Sequence, residues 1–249
     1  CAGRFAAAPA GGIALDLPNG AALAVLFLAA ARAGREGQVL DTAWPAPLRA
    51  QMLARMAPGL LVSCGADCDV RLAPGQGMTG LAEAIGAGPA GDLPPPHGAL
   101  PVYVGFTSGS TGVPKGYRRA HGSWTESFDA DTREFGIGPA DVLLAPGALT
   151  HSLFLYALAR GIDAGAHVIL SRAFRPRAVA DLARRHGASV LYGVPTQLAL
   201  LLDHLSAEDA ALAGIRLVLC SGAKWPAGRK ALLARHLPGA AFAEFYGAS

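Results

Sequence analysis

Short apolar segments alternate with segments of helical spacing along almost the whole chain. The apolar segments that have the length and composition of β-strands are residues 13–17, 38–42, 60–63, 101–105, 141–145, 167–171, 189–192, 215–220 and 241–245. The segments of helical spacing between them are residues 21–32, 45–56, 123–135, 152–160, 175–186, 196–205 and 227–236. Asn19 is in position to cap the first of these helices. Because strands separated by helices form parallel sheets with helices packed on their faces, the alternation predicts an α/β protein of layered parallel β-sheets with flanking helices.

The composition is that of a well-buried globular protein, with 52% hydrophobic and 16% charged residues and a formal net charge of +3. A charge this small does not indicate a nucleic-acid partner. The two basic pairs, Arg118 with Arg119 and Arg184 with Arg185, are interpreted as solvated helix faces. The longest apolar run, residues 21–31, is shorter than the about 20 residues that a membrane-spanning helix needs, so no membrane span is expected.

The cysteines indicate a reducing compartment rather than a metal site. Cys64 and Cys68 are close in sequence, but no second cysteine pair or matching histidine completes a zinc-binding pattern. Cys1 and Cys220 lie far from that pair. We therefore expect reduced thiols in a cytoplasmic protein.

Residues 106–116 follow the predicted strand 101–105 and read Phe-Thr-Ser-Gly-Ser-Thr-Gly-Val-Pro-Lys-Gly. Glycines let backbone amides turn toward an anion, the hydroxyls add donors, and Lys115 adds a positive charge. The stretch predicts a phosphate-binding loop, and the alternative is a flexible surface loop rich in glycine and serine. It is not a Walker A loop, because Pro114 precedes the lysine and Gly116 replaces the Ser or Thr that follows it in that motif.

This stretch closely resembles the signature loop of the AMP-forming adenylating enzymes, which include acyl-CoA synthetases, luciferases and the adenylation domains of nonribosomal peptide synthetases. The resemblance covers nearly the whole chain, which corresponds to about the first half of a typical member. It implies that the loop holds the β- and γ-phosphates of ATP and that Thr107 contributes to a Mg²⁺ site. The loop residues implied in ATP binding are Thr107, Ser108, Gly109, Ser110, Thr111, Gly112, Pro114, Lys115 and Gly116.

Two further segments are similar to nucleotide-binding segments of the same family. The chain's last four residues, Tyr-Gly-Ala-Ser, resemble the motif Tyr-Gly-x-Thr-Glu, which implies that Tyr246 stacks on adenine, Gly247 lets the backbone approach and Ser249 contacts the α-phosphate. Gly222, Ala223 and Lys224 resemble one wall of the adenine and acyl site. For both segments the alternative is a simple turn after a buried strand.

The resemblance also implies contacts with the acid. His151 corresponds to a residue that lines the carboxylate tunnel of acyl-CoA synthetases, and Gly193 and Pro195 lie in a segment that borders the acyl pocket. His151 is equally well explained as a helix-capping or core histidine. Amino-acid-activating relatives carry an Asp at the next position, where this chain has Ser152. A buried ammonium needs a carboxylate partner, so a fatty or other non-amino acid is favoured.

Four of the candidate segments follow predicted strands: the phosphate loop and residues 193–196, 221–223 and 246–249. Ligands of α/β proteins bind beyond the carboxyl ends of the strands. We therefore expect these four strand ends to line one crevice. The predicted division of the chain is an N-terminal α/β subdomain at residues 1–98 and a nucleotide-binding subdomain at residues 99–249.

The function implied by the resemblance is activation of a carboxylic acid by ATP and Mg²⁺, which gives an acyl-adenylate and pyrophosphate. The thiol of CoA, or of a carrier protein, then takes the acyl group. The family's catalytic lysine is expected beyond Ser249, so no catalytic residue is expected on this chain, which is predicted to be a truncated and inactive portion. Two alternatives stay open: a non-catalytic nucleotide- or acyl-binding module, and an amino-acid adenylation domain fragment with an acidic ammonium partner elsewhere in the pocket.

Overall fold

A computed structural model describes residues 1–73, 78–86, 90–95, 97–107 and 113–246. The chain forms two compact units, Cys1–Ser127 and Phe128–Ala248, which divide within the helix His121–Phe135. The division predicted from the sequence lies elsewhere, between residues 98 and 99. The strand that follows residue 99 is hydrogen-bonded into the sheet of the first unit, because Tyr103 pairs with Gly37.

The first unit contains a six-stranded sheet. Its strands are β1 (Ile13–Asp16), β2 (Gly37–Val39), β3 (Leu60–Ser63), β4 (Val70–Arg71), β5 (Pro101–Thr107) and β6 (Lys115–Ala120). Their order is β4-β3-β1-β2-β5-β6, and every pair is parallel except β5 with β6. The helices are α1 (Ala2–Ala6), α2 (Ala21–Arg32), α3 (Ala46–Met56), α4 (Met78–Gly86) and α5 (His121–Phe135), which continues into the second unit.

The second unit contains a five-stranded parallel sheet of order β11-β10-β9-β7-β8. Its strands are β7 (Val142–Ala145), β8 (His167–Leu170), β9 (Val190–Gly193), β10 (Leu217–Cys220) and β11 (Ala241–Glu244). Its helices are α6 (Ser152–Asp163), α7 (Pro176–His186), α8 (Pro195–Ala207) and α9 (Lys230–His236), with a 3₁₀ turn at Ala227–Arg229. The predicted α/β class with parallel sheets and flanking helices is confirmed.

Local sequence explains most of these boundaries. Helices α7 and α8 both begin at a proline, whose fixed φ suits the first helical turn and whose missing N–H is not needed there. Helix α7 ends at His186 and is followed by the cap residue Gly187, which has a φ of 63°. The basic last turn of the helix complements its dipole. Helix α2 has Gly20, not Asn19, at its N-cap position, so the predicted asparagine cap is wrong.

Each unit has its own apolar core. In the first, Phe27, Tyr103 and Trp124 pack together, with ring centroids between 5.6 and 6.2 Å apart. In the second, buried leucines, valines and alanines fill the space between one face of the sheet and helices α7, α8 and α9. Across the described ranges, no helix combines the length and the apolar character needed to cross a membrane.

Candidate functional site

The phosphate-loop candidate connects two antiparallel strands, not a strand and a helix. Strand β5 ends at Thr107 and β6 begins at Lys115, and these two residues are opposite each other in the ladder. The Thr107 hydroxyl donates to the Lys115 carbonyl oxygen at 3.5 Å. The Lys115 side chain is exposed, whereas Pro114 is buried. The flanks of the loop are therefore fixed, and the predicted residues Ser108, Gly109, Ser110, Thr111 and Gly112 lie outside the described residues.

Aromatic packing holds the strand that leads into this loop. The ring of Phe106 meets Trp44 edge-on, with centroids 5.1 Å apart. Gly105 lies beneath the ring of Tyr117, where an added Cβ would come within 2.4 Å of the tyrosine's Cζ. The first flank of the loop therefore cannot shift without disturbing a packed aromatic group.

Three of the four candidate strand ends are neighbours in one sheet. Strands β9, β10 and β11 are adjacent and parallel, so the segments that follow them share its carboxyl edge. The Ser221 N–H donates to the Gly193 carbonyl oxygen at 3.3 Å, and the Phe245 N–H donates to that of Cys220 at 3.0 Å. The fourth end, at the phosphate loop, belongs to the sheet of the first unit. A crevice shared by all four stays a prediction.

Several of the predicted site residues at the carboxyl edge of the second sheet also have a role in the packing of the fold. An added Cβ on Gly193 would lie 2.9 Å from a methyl carbon of Leu198 in helix α8, so a larger residue would have to displace that buried side chain. Pro195 is buried at the start of that helix. Gly222 has a φ of 98°, which side chains with a Cβ adopt only under strain. A ligand role for these residues would come in addition to their structural role.

The other predicted residues at the edge present their side chains to solvent. Ala223 and Lys224 are exposed, and Tyr246 is 94% exposed. An exposed tyrosine ring at a strand end is available for stacking on a planar ligand. Gly247 and Ser249 lie outside the described residues.

His151 takes the N-cap position of helix α6, where its side chain is exposed and makes no capping hydrogen bond. Of the two structural alternatives, the position is that of a cap and not of a core residue. Ser152 is the first residue of the helix and is partly buried. The exposed imidazole is free to contact a ligand at the carboxyl edge of β7, which ends six residues earlier at Ala145.

Sequence reasoning missed a set of polar residues on helices α5 and α6 and strand β9 of the second unit. We call this set the polar layer: Asp131, Tyr156, Arg160 and Tyr192. The Tyr156 hydroxyl donates to Asp131 Oδ2 at 2.8 Å. Arg160 is 1% exposed, and its Nε lies 4.0 Å from the same carboxylate oxygen. Burial raises the pKa of Asp131 although Tyr156 and Arg160 oppose it, and burial raises the pKa of Tyr192. One signal for this layer was present in the sequence, because Ser152, Tyr156 and Arg160 are spaced four residues apart in the predicted helix 152–160.

A Mg²⁺ site was predicted at Thr107. Magnesium binds hard oxygen ligands and usually keeps several waters and phosphate oxygens. The Thr107 hydroxyl is partly exposed and donates its proton to a carbonyl, so its oxygen lone pairs stay available to a cation. In the part of the chain that the structure describes, no group of three or more His, Cys, Asp or Glu side chains forms a metal site. Thr107 therefore fits as one ligand of a nucleotide-bound cation.

The profile of the AMP-binding enzyme family matches residues 6–249. The uncharacterized acyl-CoA ligase YhfT of Bacillus subtilis is 36% identical over 245 residues, which cover 95% of this chain and 49% of that protein. Pyochelin synthetase PchF of Pseudomonas aeruginosa is 31% identical over 218 residues, which cover 84% of this chain and 12% of that protein. The chain thus spans about half, or less, of the length of these curated relatives.

Solved structures share the fold over nearly the full chain. An ATP-bound RpMatB–BxBclM chimera superposes with a TM-score of 0.84 at 25% identity and covers 99% of this chain and 52% of its own. The nonribosomal peptide synthetase FmoA3 superposes with a TM-score of 0.82 at 22% identity and covers 99% of this chain and 28% of its own. Because the family profile extends from residue 6 through the hairpin loop and the three adjacent strand ends to residue 249, the chain belongs to the family of AMP-binding enzymes.

Proposed function

We propose that the protein containing this chain activates a carboxylic acid with ATP and transfers the acyl group to a thiol. Membership of the AMP-binding enzymes and the similarity to an acyl-CoA ligase support this activity. The observation that carries it is the pairing of Thr107 with Lys115, which sets an exposed ammonium group and a hydroxyl at the base of a glycine- and hydroxyl-rich loop. Such a loop suits the phosphates of a nucleotide.

In the proposed reaction, a carboxylate oxygen attacks the α-phosphorus of ATP and pyrophosphate leaves. The protein's task is to position the two reactants and to neutralise charge. We assign phosphate binding to the loop and nucleotide binding to the carboxyl edge of the second sheet. The assigned residues are Thr107, Ser108, Gly109, Ser110, Thr111, Gly112, Pro114, Lys115, Gly116, Gly222, Ala223, Lys224, Tyr246, Gly247 and Ser249.

A bound Mg²⁺ would neutralise charge on the phosphate oxygens. Thr107 would offer it one hydroxyl oxygen. Lys115, at the opposite position of the ladder, would offer its ammonium to the same phosphates. Thr107 would thus bind the cation, and Lys115 would bind the phosphates directly through its positive charge.

The acid is proposed to be a fatty or other non-amino carboxylic acid, bordered by His151, Gly193 and Pro195. An amino acid would need a carboxylate for its ammonium. Asp131 is a partly buried carboxylate in the second unit. It already accepts a hydrogen bond from the Tyr156 hydroxyl at 2.8 Å, and the buried Arg160 lies beside it. A second cation beside that arginine would be repelled. The similarity to pyochelin synthetase keeps amino-acid activation as the second candidate.

CoA is the proposed thiol acceptor, by analogy with the acyl-CoA ligase relative, and a carrier protein is the alternative. Because the chain spans about half of that relative, we propose that the whole protein completes the reaction and that residues 1–249 alone do not. The four cysteines are free thiols, which fits the proposed cytoplasmic location.

The test is ATP–pyrophosphate exchange by the full-length protein with straight-chain acids, aromatic acids and amino acids in parallel. Exchange that depends on a non-amino acid supports the proposal. Exchange with amino acids alone supports the second candidate. ATP binding without exchange by any acid leaves a non-catalytic nucleotide-binding module as the function and overturns the ligase.

A further inference from the structure

The polar layer lies between the second sheet and helices α5 and α6. The Arg160 Nη2 donates to the Thr132 hydroxyl at 2.7 Å and to the Ile137 carbonyl oxygen at 3.0 Å, so the guanidinium is fixed in place. The Asp131 side chain is 20% exposed and Tyr156 is partly buried. Hydrogen bonds therefore fix the buried arginine of the layer, and solvent reaches the layer at Asp131.

Two buried donors in this layer have no hydrogen-bond partner among the described residues: the Tyr192 hydroxyl and the Arg160 Nε. Both residues are at most 1% exposed. Leaving a buried donor unpaired costs free energy, and native proteins rarely do so without a bound water or ligand. The distance of 4.0 Å from Arg160 Nε to Asp131 Oδ2 exceeds a direct hydrogen bond and suits one bridging oxygen atom.

The layer begins at the edge that carries the proposed acid site. Tyr192 directly precedes Gly193 at the end of β9, and its side chain points away from the core that contains Leu191, because side chains alternate along a strand. On helix α6, Ser152, Tyr156 and Arg160 are spaced four residues apart, so they form one polar stripe that runs from that edge inward. The stripe leads from the partly buried Ser152 at that edge to Arg160, which is 1% exposed.

We propose that the acid substrate carries a hydrogen-bond-accepting oxygen at the end remote from its reacting carboxylate, and that Tyr192 and Arg160 donate to it. This inference rests on the proposed function. A hydroxyl oxygen would accept from both donors and give its own proton to the nearby Asp131 carboxylate, whereas an alkyl tail would leave them buried and unpaired. Of the non-amino acids, hydroxy acids fit this layer; a second carboxylate would be repelled by Asp131, and a plain alkyl chain would leave both donors unpaired.

The experiment compares matched acids in the full-length protein by pyrophosphate exchange. Each pair has the same carbon number, and one member is an alkanoic acid whereas the other carries a terminal hydroxyl group. The wild type is expected to favour the polar member by about tenfold or more in kcat/KM. Tyr192→Phe should lower kcat/KM for the polar member by about tenfold and leave the alkanoic acid unchanged or improved. Tyr103→Phe, a buried tyrosine in the first unit, is the control and should keep the wild-type ratio.

An unchanged preference in Tyr192→Phe overturns the inference while the ligase activity stands, and the hydroxyl is then paired with water. Absence of exchange with every acid overturns the proposed function itself. A second measurement does not depend on enzyme activity: it is the thermal unfolding midpoint of the full-length protein without substrate. Tyr192→Phe should leave that midpoint unchanged or raise it, because the Tyr192 hydroxyl makes no hydrogen bond with the described residues that the variant would lose. A lowered midpoint means that the hydroxyl is already satisfied without substrate and counts against the inference.

Discussion

Asp141 accepts two hydrogen bonds from the guanidinium of Arg216, at 2.8 Å from Nε and 2.7 Å from Nη2. The same carboxylate accepts the Ser189 hydroxyl at 2.7 Å and the Gly138 N–H at 3.0 Å. These residues directly precede or lead into β7, β9 and β10, so the carboxylate joins three parallel strands at their amino edge. The candidate site lies at the opposite, carboxyl edge of these strands.

We predict that this carboxylate makes the stability of the fold sensitive to acid. Burial by itself would raise the pKa of Asp141, but Arg216, Gly138 and Ser189 outweigh it and bring the pKa to about 2, below the ordinary 3.8. A carboxyl group with a lower pKa in the folded state stabilises the fold above its unfolded pKa. That contribution, on the order of 1–2 kcal/mol after allowance for the partly exposed arginine, is lost as pH falls from about 4 to 2. Urea unfolding across this pH range measures it.

The matched control is Asp203→Asn, which removes an exposed carboxylate paired with Arg229. Such pairs contribute little, so this variant should keep the wild-type pH profile. Asp141→Asn should be less stable at pH 7 and should lose stability less steeply in acid. Parallel profiles for wild type and Asp141→Asn would falsify the assignment.

Gly222→Ala is predicted to destabilise the chain. With a φ of 98°, a Cβ at this position is strained, and it would also approach a Val194 methyl carbon at 3.3 Å. We expect a loss of about 1–2 kcal/mol in the free energy of unfolding. Gly228→Ala is the control, because an added Cβ there has no heavy atom within 4 Å among the described residues. Equal stability of the two variants in urea unfolding would show that the turn tolerates a side chain.

The sequence predicted the sheet of the second unit well because its strands are short buried apolar runs between helices. It missed β6, in which no residue is buried and three of the six residues are basic. Such an edge strand has no buried face that would produce an alternation of apolar and polar residues. That omission changed the interpretation of the site: the phosphate-loop candidate lies in a hairpin, and of its two flanking strands only β5 was predicted.

The polar layer shows the limit of pattern reasoning at the candidate site. Asp131, Tyr156 and Tyr192 come from two helices and a strand, and no spacing in the sequence connects them. Each one alone is an ordinary surface or core residue. Only packing of the helices on the sheet brings an acidic group, two phenols and a buried guanidinium together. The four-residue spacing of Ser152, Tyr156 and Arg160 on one helix was the local sign of it.

Lys115→Ala is predicted to weaken ATP binding without affecting the fold. The side chain is exposed at the first residue of β6, so its removal leaves no buried group unpaired. A charge-assisted contact to a phosphate is worth about 1.5–3 kcal/mol, so the dissociation constant of a fluorescent ATP analogue should rise by about 10- to 100-fold. Lys230→Ala removes an equally exposed lysine from helix α9 and should bind as the wild type does. Equal affinities for the two variants would remove the loop from the nucleotide site.

Tyr246 is predicted to hold the base of the nucleotide. Tyr246 is 94% exposed and lies two residues after the end of strand β11, so Tyr246→Ala removes no buried contact and should unfold at the wild-type urea concentration. Stacking of a base on an aromatic ring is worth about 1–3 kcal/mol, so the variant should bind ATP about 5- to 100-fold more weakly. Tyr246→Phe keeps the ring and loses only the hydroxyl, so it should retain most of the affinity. If both variants bind ATP like the wild type, the exposed ring does not contact the base. If both variants lose affinity equally, the nucleotide contacts the hydroxyl of Tyr246 rather than the face of its ring.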